Sequence, residues 1–161
     1  VVIAVPKGNP AGIKNLQDLT KEGMRVAVGQ PDQCTIGVLT RQVLEAEDVY
    51  DSVMKNVVTQ TATSAMLVPT VTTRSVDAAL AYATDTKAEA DKVDSIRIAS
   101  PAAKAIQPFA IARSSQHKQL DRRFYQALAA ARGQFEQAGF HFRLKDHSKP
   151  GTASPQAAGK N

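Results

Sequence analysis

Short apolar runs alternate along this chain of 161 residues with segments whose apolar residues recur at helical spacing. Short runs of this kind between turn-forming residues are typical of buried strands. They are Val1–Val5, Met24–Val28, Val57–Val58, Asp77–Ala83, Ser95–Ala99 and Pro108–Ala112. Strands that alternate with helices indicate an α/β fold, because parallel neighbours need a crossover connection. The pattern therefore predicts an α/β protein with a mostly parallel sheet flanked by helices.

The helical segments carry start and stop signals. Asn15 can cap a short helix, and Gly23 can end it. Residues Thr35–Glu45 place their apolar side chains at the spacing of one helix face. A further helix is expected after Ser64, although Pro69 should kink it or delay its start.

The end of the chain divides into a helix and a tail. An apolar stripe predicts a helix that begins near Ser114 or Ser115 and ends at Gly139; its members are Leu120, Phe124, Leu128, Ala131 and Phe135. At residues 145–161 the composition changes to Lys, Ser, Pro, Gly and Ala without an apolar period. That segment is expected to be a disordered tail.

The composition excludes several classes of protein. Hydrophobic residues at 43% and charged residues at 22% are those of a globular chain rather than a wholly disordered one. The longest apolar run is far shorter than the ~20 residues that span a bilayer. One cysteine, Cys34, and three scattered histidines supply neither a disulfide framework nor a cluster of metal ligands. We predict no cofactor and no metal site.

The excess of positive charge does not indicate a nucleic-acid partner. Twenty Lys and Arg against fifteen Asp and Glu give a net charge of +5. Aromatic residues make up 5% of the chain, and no motif that reads bases is present. The basic residues near the end of the chain are expected on the solvated face of the last helix; they are Lys118, Arg122, Arg123 and Arg132. We therefore predict no nucleic-acid binding.

Two side chains are candidates for catalysis. Cys34 lies near a predicted helix start, where the pKa of a thiol can be lowered, and His117 could act as a base. Cys34 has no histidine near it in the sequence, as an activated nucleophile would require. We predict no catalytic residues and no enzyme activity.

Two loops that open helices with small or hydroxyl residues are candidate binding sites. They are Gln33–Gly37 and Thr61–Ala65. The start of a helix presents unpaired N–H groups and the positive end of its dipole, so it can hold an oxyanion without Lys or Arg. The alternative is ordinary capping, in which Thr35 or Thr63 satisfies its own helix and binds nothing.

Five groups of residues, in order along the chain, carry a resemblance to a known family. They are Val5–Pro10 followed by Asn15–Leu19, Arg25–Asp32 followed by Gly37 and Leu44-Glu45, Asp77–Asp85, Pro108–Ala112, and Ala138–Phe140. Together, over residues 1 to about 143, they resemble periplasmic substrate-binding proteins of the molybdate and tungstate ABC transporter type. The resemblance implies a type 2 periplasmic-binding fold, in which two lobes close on a ligand.

The family binds a tetrahedral oxyanion between its lobes with neutral donors. Carried over to this chain, the second lobe's share of the site falls on the backbone N–H groups of Ile36 and Ser64 and on the hydroxyl of Tyr82. Thr35 and Thr63 are neighbouring hydroxyl donors. Neutral N–H and O–H groups of fixed geometry select an anion by size and shape, and they release it without breaking an ion pair.

Several residues leave the details of this site open. Tyr82 lies in an apolar run and could instead be a core tyrosine. Asp85 is expected to cap the helix after it, because a carboxylate facing the ligand would repel an anion. The bulky side chain of Ile36 is expected to reshape the pocket floor, and Gln30 stands where the family usually has Asp. These departures leave the identity of the anion open.

The resemblance also assigns parts of the chain to the two lobes. It implies a hinge strand at residues 1–8, the second, ligand-binding lobe at 9–103, a return strand and C-terminal helix at 104–144, and the tail at 145–161. The family's first strand and serine-bearing loops would lie upstream of Val1, so a signal peptide and upstream residues are expected to have been lost. One lobe alone would expose apolar surface. We therefore expect weak oxyanion affinity and a dimer, a strand-swapped assembly or association with the missing part.

The function implied is capture of a small oxyanion, such as molybdate or tungstate, for an ABC importer by hinge closure. The expected partners are the oxyanion and the importer's membrane permease, and the expected location is periplasmic or extracytoplasmic. One alternative is the ligand-sensing domain of a transcription regulator, which shares the two-lobed fold. The other is a binder of a different small anion, such as sulfate, phosphate or a carboxylate.

Overall fold

A computed structural model describes residues 1–143 of the chain. These residues belong to two compact units, one of residues 1–107 and one that begins at Pro108. The predicted tail at residues 145–161 lies outside the described residues. The assignment of residues 1–8, 9–103 and 104–144 to a hinge, a lobe and a return segment stays a prediction.

The first unit is built on a five-stranded sheet with the strand order β3-β2-β4-β1-β5. The strands are β1 (Val2–Pro6), β2 (Val26–Gly29), β3 (Val57–Thr61), β4 (Ala78–Ala81) and β5 (Val93–Arg97). β2 is parallel to β3 and β4, whereas β1 is antiparallel to β4 and β5. The α/β class is confirmed, and the sheet is mixed rather than mostly parallel, because β1 runs against both of its neighbours.

Burial along each strand follows its place in the sheet. Every residue of the three central strands, β1, β2 and β4, is buried, as expected for strands covered on both faces. The edge strands β3 and β5 instead alternate between exposed and less exposed residues. Continuous apolar runs therefore mark the centre of this sheet, and alternating runs mark its edges.

The two faces of the central strands carry side chains of different size. One face presents larger residues to the first apolar cluster; they are Ile3, Val5, Val26, Val28 and Leu80. The other face presents small residues to the second cluster; they are Ala4, Ala27, Ala79 and Ala81. Successive side chains of a strand point to opposite faces, so this alternation sorts the core into two layers. Helix α1 (Thr35–Ala46) contributes to both layers, helix α2 (Tyr50–Met54) to the first and α3 (Leu67–Thr72) to the second.

Local residue types explain where two of the helical segments begin. Asn15 and Asp18 form a capping box at the start of a 3₁₀ turn, Leu16–Thr20, as the sequence predicts. The segment after β3 begins as a 3₁₀ turn, Ser64–Met66, before α3, so Pro69 lies in the first turn of α3, where a missing N–H is tolerated. The remaining ordered elements of this unit are α4 (Ala83–Ala88) and a 3₁₀ turn at Pro101–Ala103.

Five of the six predicted strands are present, with shifted ends. The predicted return strand Pro108–Ala112 is wrong: these residues are exposed and form no strand. Among the described residues no strand pairs with this segment, and pairing is what makes a strand.

The second unit contains two helices where the apolar stripe predicts one. They are α5 (Lys118–Ala130) and α6 (Arg132–Gln137), which meet at Ala131. The start predicted near Ser114 or Ser115 lies a few residues too early: α5 begins at Lys118, after a turn in which the Ser115 hydroxyl accepts a hydrogen bond from the His117 backbone N–H. The stop at Gly139 is confirmed: Gly139 has a φ of +99°, and the Phe140 N–H donates to the Phe135 carbonyl at 3.0 Å.

Candidate functional site

Three turns from strand to helix lie at one edge of the sheet. β2, β3 and β4 are parallel neighbours, so their carboxyl ends share an edge. β2 leads into α1, β3 into the 3₁₀ turn Ser64–Met66, and β4 into α4. In open α/β sheets this edge is where ligands usually bind. The fold therefore brings together the three chain segments that hold the predicted site residues.

Each predicted site residue occupies the first positions of one of these turns. Thr35 and Ile36 are the first two residues of α1, and Thr63 and Ser64 bracket the start of the 3₁₀ turn. Tyr82 immediately precedes α4 and is half-buried. The strand predicted at Asp77–Ala83 is too long, because β4 ends at Ala81. Tyr82 therefore lies at the strand-to-helix junction rather than inside the sheet.

The side chain of Ile36 does not shape the surface of this edge. It is 1% exposed and belongs to the second apolar cluster, with Ala27 of β2 and Leu67 of α3. The expectation that its bulk reshapes a pocket floor is therefore wrong, since the side chain points into the core. What Ile36 offers at the edge is its backbone N–H.

None of the three helix starts is closed by its own side chain. Cys34 precedes α1, Thr63 precedes the 3₁₀ turn and Tyr82 precedes α4, and none of them makes a side-chain capping hydrogen bond. The Thr61 hydroxyl instead donates to the Thr63 carbonyl at 3.0 Å. Ordinary capping by Thr35 or Thr63, the alternative for these loops, is therefore not what the structure has. The first N–H groups of these turns are therefore not bonded by a capping side chain and can donate hydrogen bonds to a ligand.

Two glycines, which the sequence analysis named only as parts of longer motifs, bring β2 and α1 together. A Cβ on Gly37 would lie 2.5 Å from the Gly29 carbonyl oxygen and 2.6 Å from the Pro31 nitrogen. A Cβ on Gly29 would lie 2.6 Å from Cγ2 of Ile36 and 2.9 Å from Sγ of Cys34. The sequence signal for them is a glycine at the end of a strand followed by another in the first turn of the next helix.

Cys34 connects the β2 and β3 turns. Its Sγ lies 3.5 Å from the Gln30 carbonyl oxygen and 3.7 Å from that of Thr61, and the Gln30 N–H donates to the same Thr61 carbonyl at 2.8 Å. Cys34 and Tyr82 both pack against the second apolar cluster. The thiol is therefore part of the packing between the turns.

The phenol of Tyr82 is held in its neutral form. Burial raises its pKa above the ordinary value, and electrostatic interaction with Cys34 and Asp85 raises it further. Asp85 does not cap a following helix as predicted, because α4 begins at Ala83 and Asp85 lies inside its first turn. No Lys or Arg occurs at residues 29–37, 61–66 or 81–86. The donors available at this edge are therefore neutral N–H and O–H groups.

Three observations on residues 1–143 concern metal ligands, the catalytic candidates and membrane-spanning helices. These residues contain no group of three or more His, Cys, Asp or Glu side chains that could hold a metal ion. The two catalytic candidates belong to different units, Cys34 to the first and His117 to the second. In the same part of the chain, no helix has the length and hydrophobicity needed to cross a membrane.

Comparison with known proteins gives one consistent family. Residues 1–141 match the family model described as bacterial extracellular solute-binding protein. The molybdate-binding protein ModA of Mycobacterium tuberculosis strain H37Rv is 33% identical over 145 residues, which are 87% of this chain and 53% of that protein. ModA of Mycobacterium bovis matches to the same extent. The chain thus spans about half the length of the curated relatives it matches.

Solved structures give the same fold. The sulfate-binding protein SubI of Mycobacterium tuberculosis H37Rv superposes with a TM-score of 0.68 at 19% identity, covering 91% of this chain and 56% of that one. A substrate-binding domain assigned to a molybdenum ABC transporter of Clostridium difficile has a TM-score of 0.64 at 19% identity, covering 86% and 61%. At these identities the similarity establishes the fold alone.

Proposed function

The chain belongs to the bacterial extracellular solute-binding protein family, and from that membership we propose that it captures a small tetrahedral oxyanion for an ABC importer. Molybdate or tungstate is the proposed ligand, since the curated relatives are molybdate-binding proteins. The proposed site consists of the N–H groups of Ile36 and Ser64, the hydroxyls of Thr35 and Thr63, and the phenol of Tyr82. The observation that carries the proposal is the meeting of three uncapped helix starts at one sheet edge.

The chemistry of these donors suits a dehydrated oxyanion. Backbone N–H groups at helix starts bind anions through directed hydrogen bonds and the positive end of the helix dipole. A neutral phenol adds an O–H donor, and its raised pKa keeps the proton in place at physiological pH. Because no Lys or Arg takes part, release of the anion breaks no ion pair.

Binding would act by shifting a conformational equilibrium, with no bond made or broken. In the proposed mechanism the anion contacts both lobes of the complete protein and so favours their closure about the hinge. The closed form would then deliver the anion to a membrane permease on the outer side of the membrane. The family assignment and the ModA relatives, which are transport proteins, disfavour an enzyme or the ligand-sensing domain of a transcription regulator.

An amide-resolved titration of the 161-residue chain tests the proposal. Molybdate, tungstate, sulfate and phosphate are added in turn while ¹⁵N–¹H NMR spectra are recorded, with sodium chloride at matched ionic strength as the control. We expect saturable shifts of the Thr35, Ile36 and Ser64 amides that chloride does not cause. Shifts absent for every oxyanion up to millimolar concentration, or confined to other residues, would refute the assignment. Stronger binding of sulfate or phosphate would reassign the anion and keep the site.

We also propose that the isolated chain associates through the apolar residues of its second unit. Exposed apolar side chains accumulate there; they are Phe109, Ile111, Leu120, Phe124 and Phe140. Leu120 is 62% exposed and Phe124 56%, which is unusual for a stable monomer. The proposed occupants are a second copy, including a strand-swapped one, or polypeptide equivalent to the rest of the ModA relatives. Light scattering after gel filtration should show a dimer that Leu120→Glu weakens and Val58→Glu, at an exposed site in β3, does not. A monodisperse monomer at all concentrations would contradict this.

A further inference from the structure

The first turn of α1 packs directly against the end of β2, and no space for a side chain remains between the two backbones. The Cβ of any other residue at position 37 would lie 2.5 Å from the Gly29 carbonyl oxygen, 2.5 Å from the Gln30 carbonyl carbon and 2.6 Å from the Pro31 nitrogen. All three are backbone atoms, so no side-chain rotation can relieve the contact. The first turn of α1 approaches β2 this closely because residue 37 has no side chain.

Gly29 makes the matching contact from the strand. A Cβ there would meet Cγ2 of Ile36 at 2.6 Å, the Gly37 nitrogen at 2.8 Å and Sγ of Cys34 at 2.9 Å. Two of these three atoms belong to side chains and one to the backbone. Neither Gly29 nor Gly37 has the left-handed backbone found at Gly8, Gly12 and Gly23. An alanine at either position would therefore be unfavourable only because its Cβ is crowded, and its backbone φ would not be strained.

We propose that Gly29 and Gly37 are positioning residues of the oxyanion site, and this inference rests on the proposed function. Their contact fixes the position of the start of α1 relative to the end of β2. It therefore also fixes the positions of the N–H groups of Thr35 and Ile36. The turns after β3 and β4 do not contain this contact. The glycine pair therefore sets how the first pair of donors lines up with Ser64 and Tyr82.

The size of the effect follows from the distances. To bring the Gly37 contact from 2.5 Å to ordinary van der Waals separation at 3.4 Å, the α1 start must recede by about 0.9 Å. A hydrogen bond of about 2.9 Å lengthened by that amount is no longer a hydrogen bond. Binding sites need their donors held within about 0.5 Å of the productive geometry. Gly37→Ala should therefore lower oxyanion affinity about tenfold or more.

The test compares Gly37→Ala and Gly29→Ala with Gly133→Ala in the 161-residue chain. Gly133 lies in α6, where a Cβ meets nothing within 4 Å, so it receives the same chemical change in open space. Molybdate affinity is measured by NMR titration at a temperature at which every variant is folded, and the melting temperature is measured separately without ligand. The two readouts distinguish misplacement of the donors from a general loss of stability.

We expect Gly37→Ala to lose the molybdate-induced shifts of the Thr35 and Ile36 amides while the Ser64 amide still responds. Gly29→Ala should have a smaller effect in the same direction, and it serves as the test if Gly37→Ala does not fold. Gly133→Ala should bind as the parent chain does. Lower melting temperatures with unchanged affinity would overturn the positioning role and leave the proposed function intact. A parent chain that binds no oxyanion would overturn both.

Discussion

Replacement of Tyr82 with phenylalanine removes a single hydroxyl from the edge of the sheet where the three turns meet. Tyr82 is half-buried at the start of α4, and its aromatic ring packs against the second apolar cluster. Phenylalanine keeps that ring. Within the described residues the hydroxyl has no hydrogen-bond partner that would be left unpaired. We therefore expect Tyr82→Phe to change the free energy of unfolding by no more than about 0.5 kcal/mol.

The effect on ligand binding should be much larger. A hydrogen bond to a charged group contributes about 1.5–3 kcal/mol, and each 1.4 kcal/mol is about tenfold in affinity. Tyr82→Phe should thus weaken molybdate binding roughly tenfold to hundredfold. Isothermal titration calorimetry or the NMR titration measures this loss. Tyr50→Phe is the matched control, because Tyr50 begins α2 and packs beneath the Arg41 guanidinium.

The pH dependence gives the same prediction a second, independent readout. Burial raises the pKa of Tyr82 above the ordinary value of 10.0, so the phenol stays protonated and able to donate up to about pH 10. Once the pH passes this raised pKa, the phenol ionises in the parent chain, and the phenolate repels the anion. Affinity should therefore fall steeply there in the parent chain, and this component should be absent from Tyr82→Phe. Binding by Tyr82→Phe within about threefold of the parent would refute the assignment of the hydroxyl as a ligand donor.

Three further substitutions test the fold and the site. Asp77→Asn removes a carboxylate that accepts hydrogen bonds from the Arg25 backbone and guanidinium, so urea unfolding at pH 7 should show a loss of about 1 kcal/mol. The Arg25 guanidinium lowers the pKa of Asp77 below 3.8. This stabilisation is therefore complete above pH 3.8 and disappears as the pH falls through the lowered pKa. The same dependence of unfolding free energy on pH in parent and variant would contradict it. Asn15→Ala breaks the capping box with Asp18 and should cost about 1 kcal/mol in the same assay, unless the 3₁₀ turn contributes nothing to stability. Cys34→Ala removes the long Sγ contacts with two carbonyl oxygens and the packing of the thiol against the second apolar cluster; it should leave molybdate affinity within about threefold, whereas a tenfold loss would give the thiol a direct role.

Local sequence signals were sufficient for most of the elements in the first unit. The capping box at Asn15 and the delayed helix at Pro69 depend on neighbouring residues, which is why they could be predicted. The central strands have unbroken apolar runs because both of their faces are covered. The length of the apolar runs separated strands from helices, since these runs are too short to form buried helices.

Strand partners and the second unit were harder to predict, because they depend on contacts far apart in the sequence. The direction of β1 is set by its pairing with β4 and β5, which no local pattern encodes. Pro108–Ala112 has the composition of a strand but no partner among the described residues. The apolar stripe of α5 and α6 correctly predicted helical structure, but it continues across Ala131 and so did not predict that the helix is interrupted there.

The site was predicted unevenly for the same reason. The helix starts at Thr35 and Ser64 came from local residue types, and the fold brings them to one edge through the parallel arrangement of β2 and β3. The burial of Ile36 agrees with the apolar face that helical spacing predicts for α1, and the expectation that its side chain shapes a pocket floor neglected that face. The role of Gly29 and Gly37 depends on a close approach of two backbones, which becomes visible only in three dimensions.

The antiparallel insertion of β1 has a consequence for how the chain acquires its structure during synthesis. β1 is synthesised well before both of its neighbours, β4 and β5, which come from residues 78–97. Its backbone must stay unpaired until residues 78–97 have also been translated, and contacts of such separation form slowly. Chaperone dependence should therefore be greatest for nascent chains that end before Val93 and should fall once Arg97 has emerged.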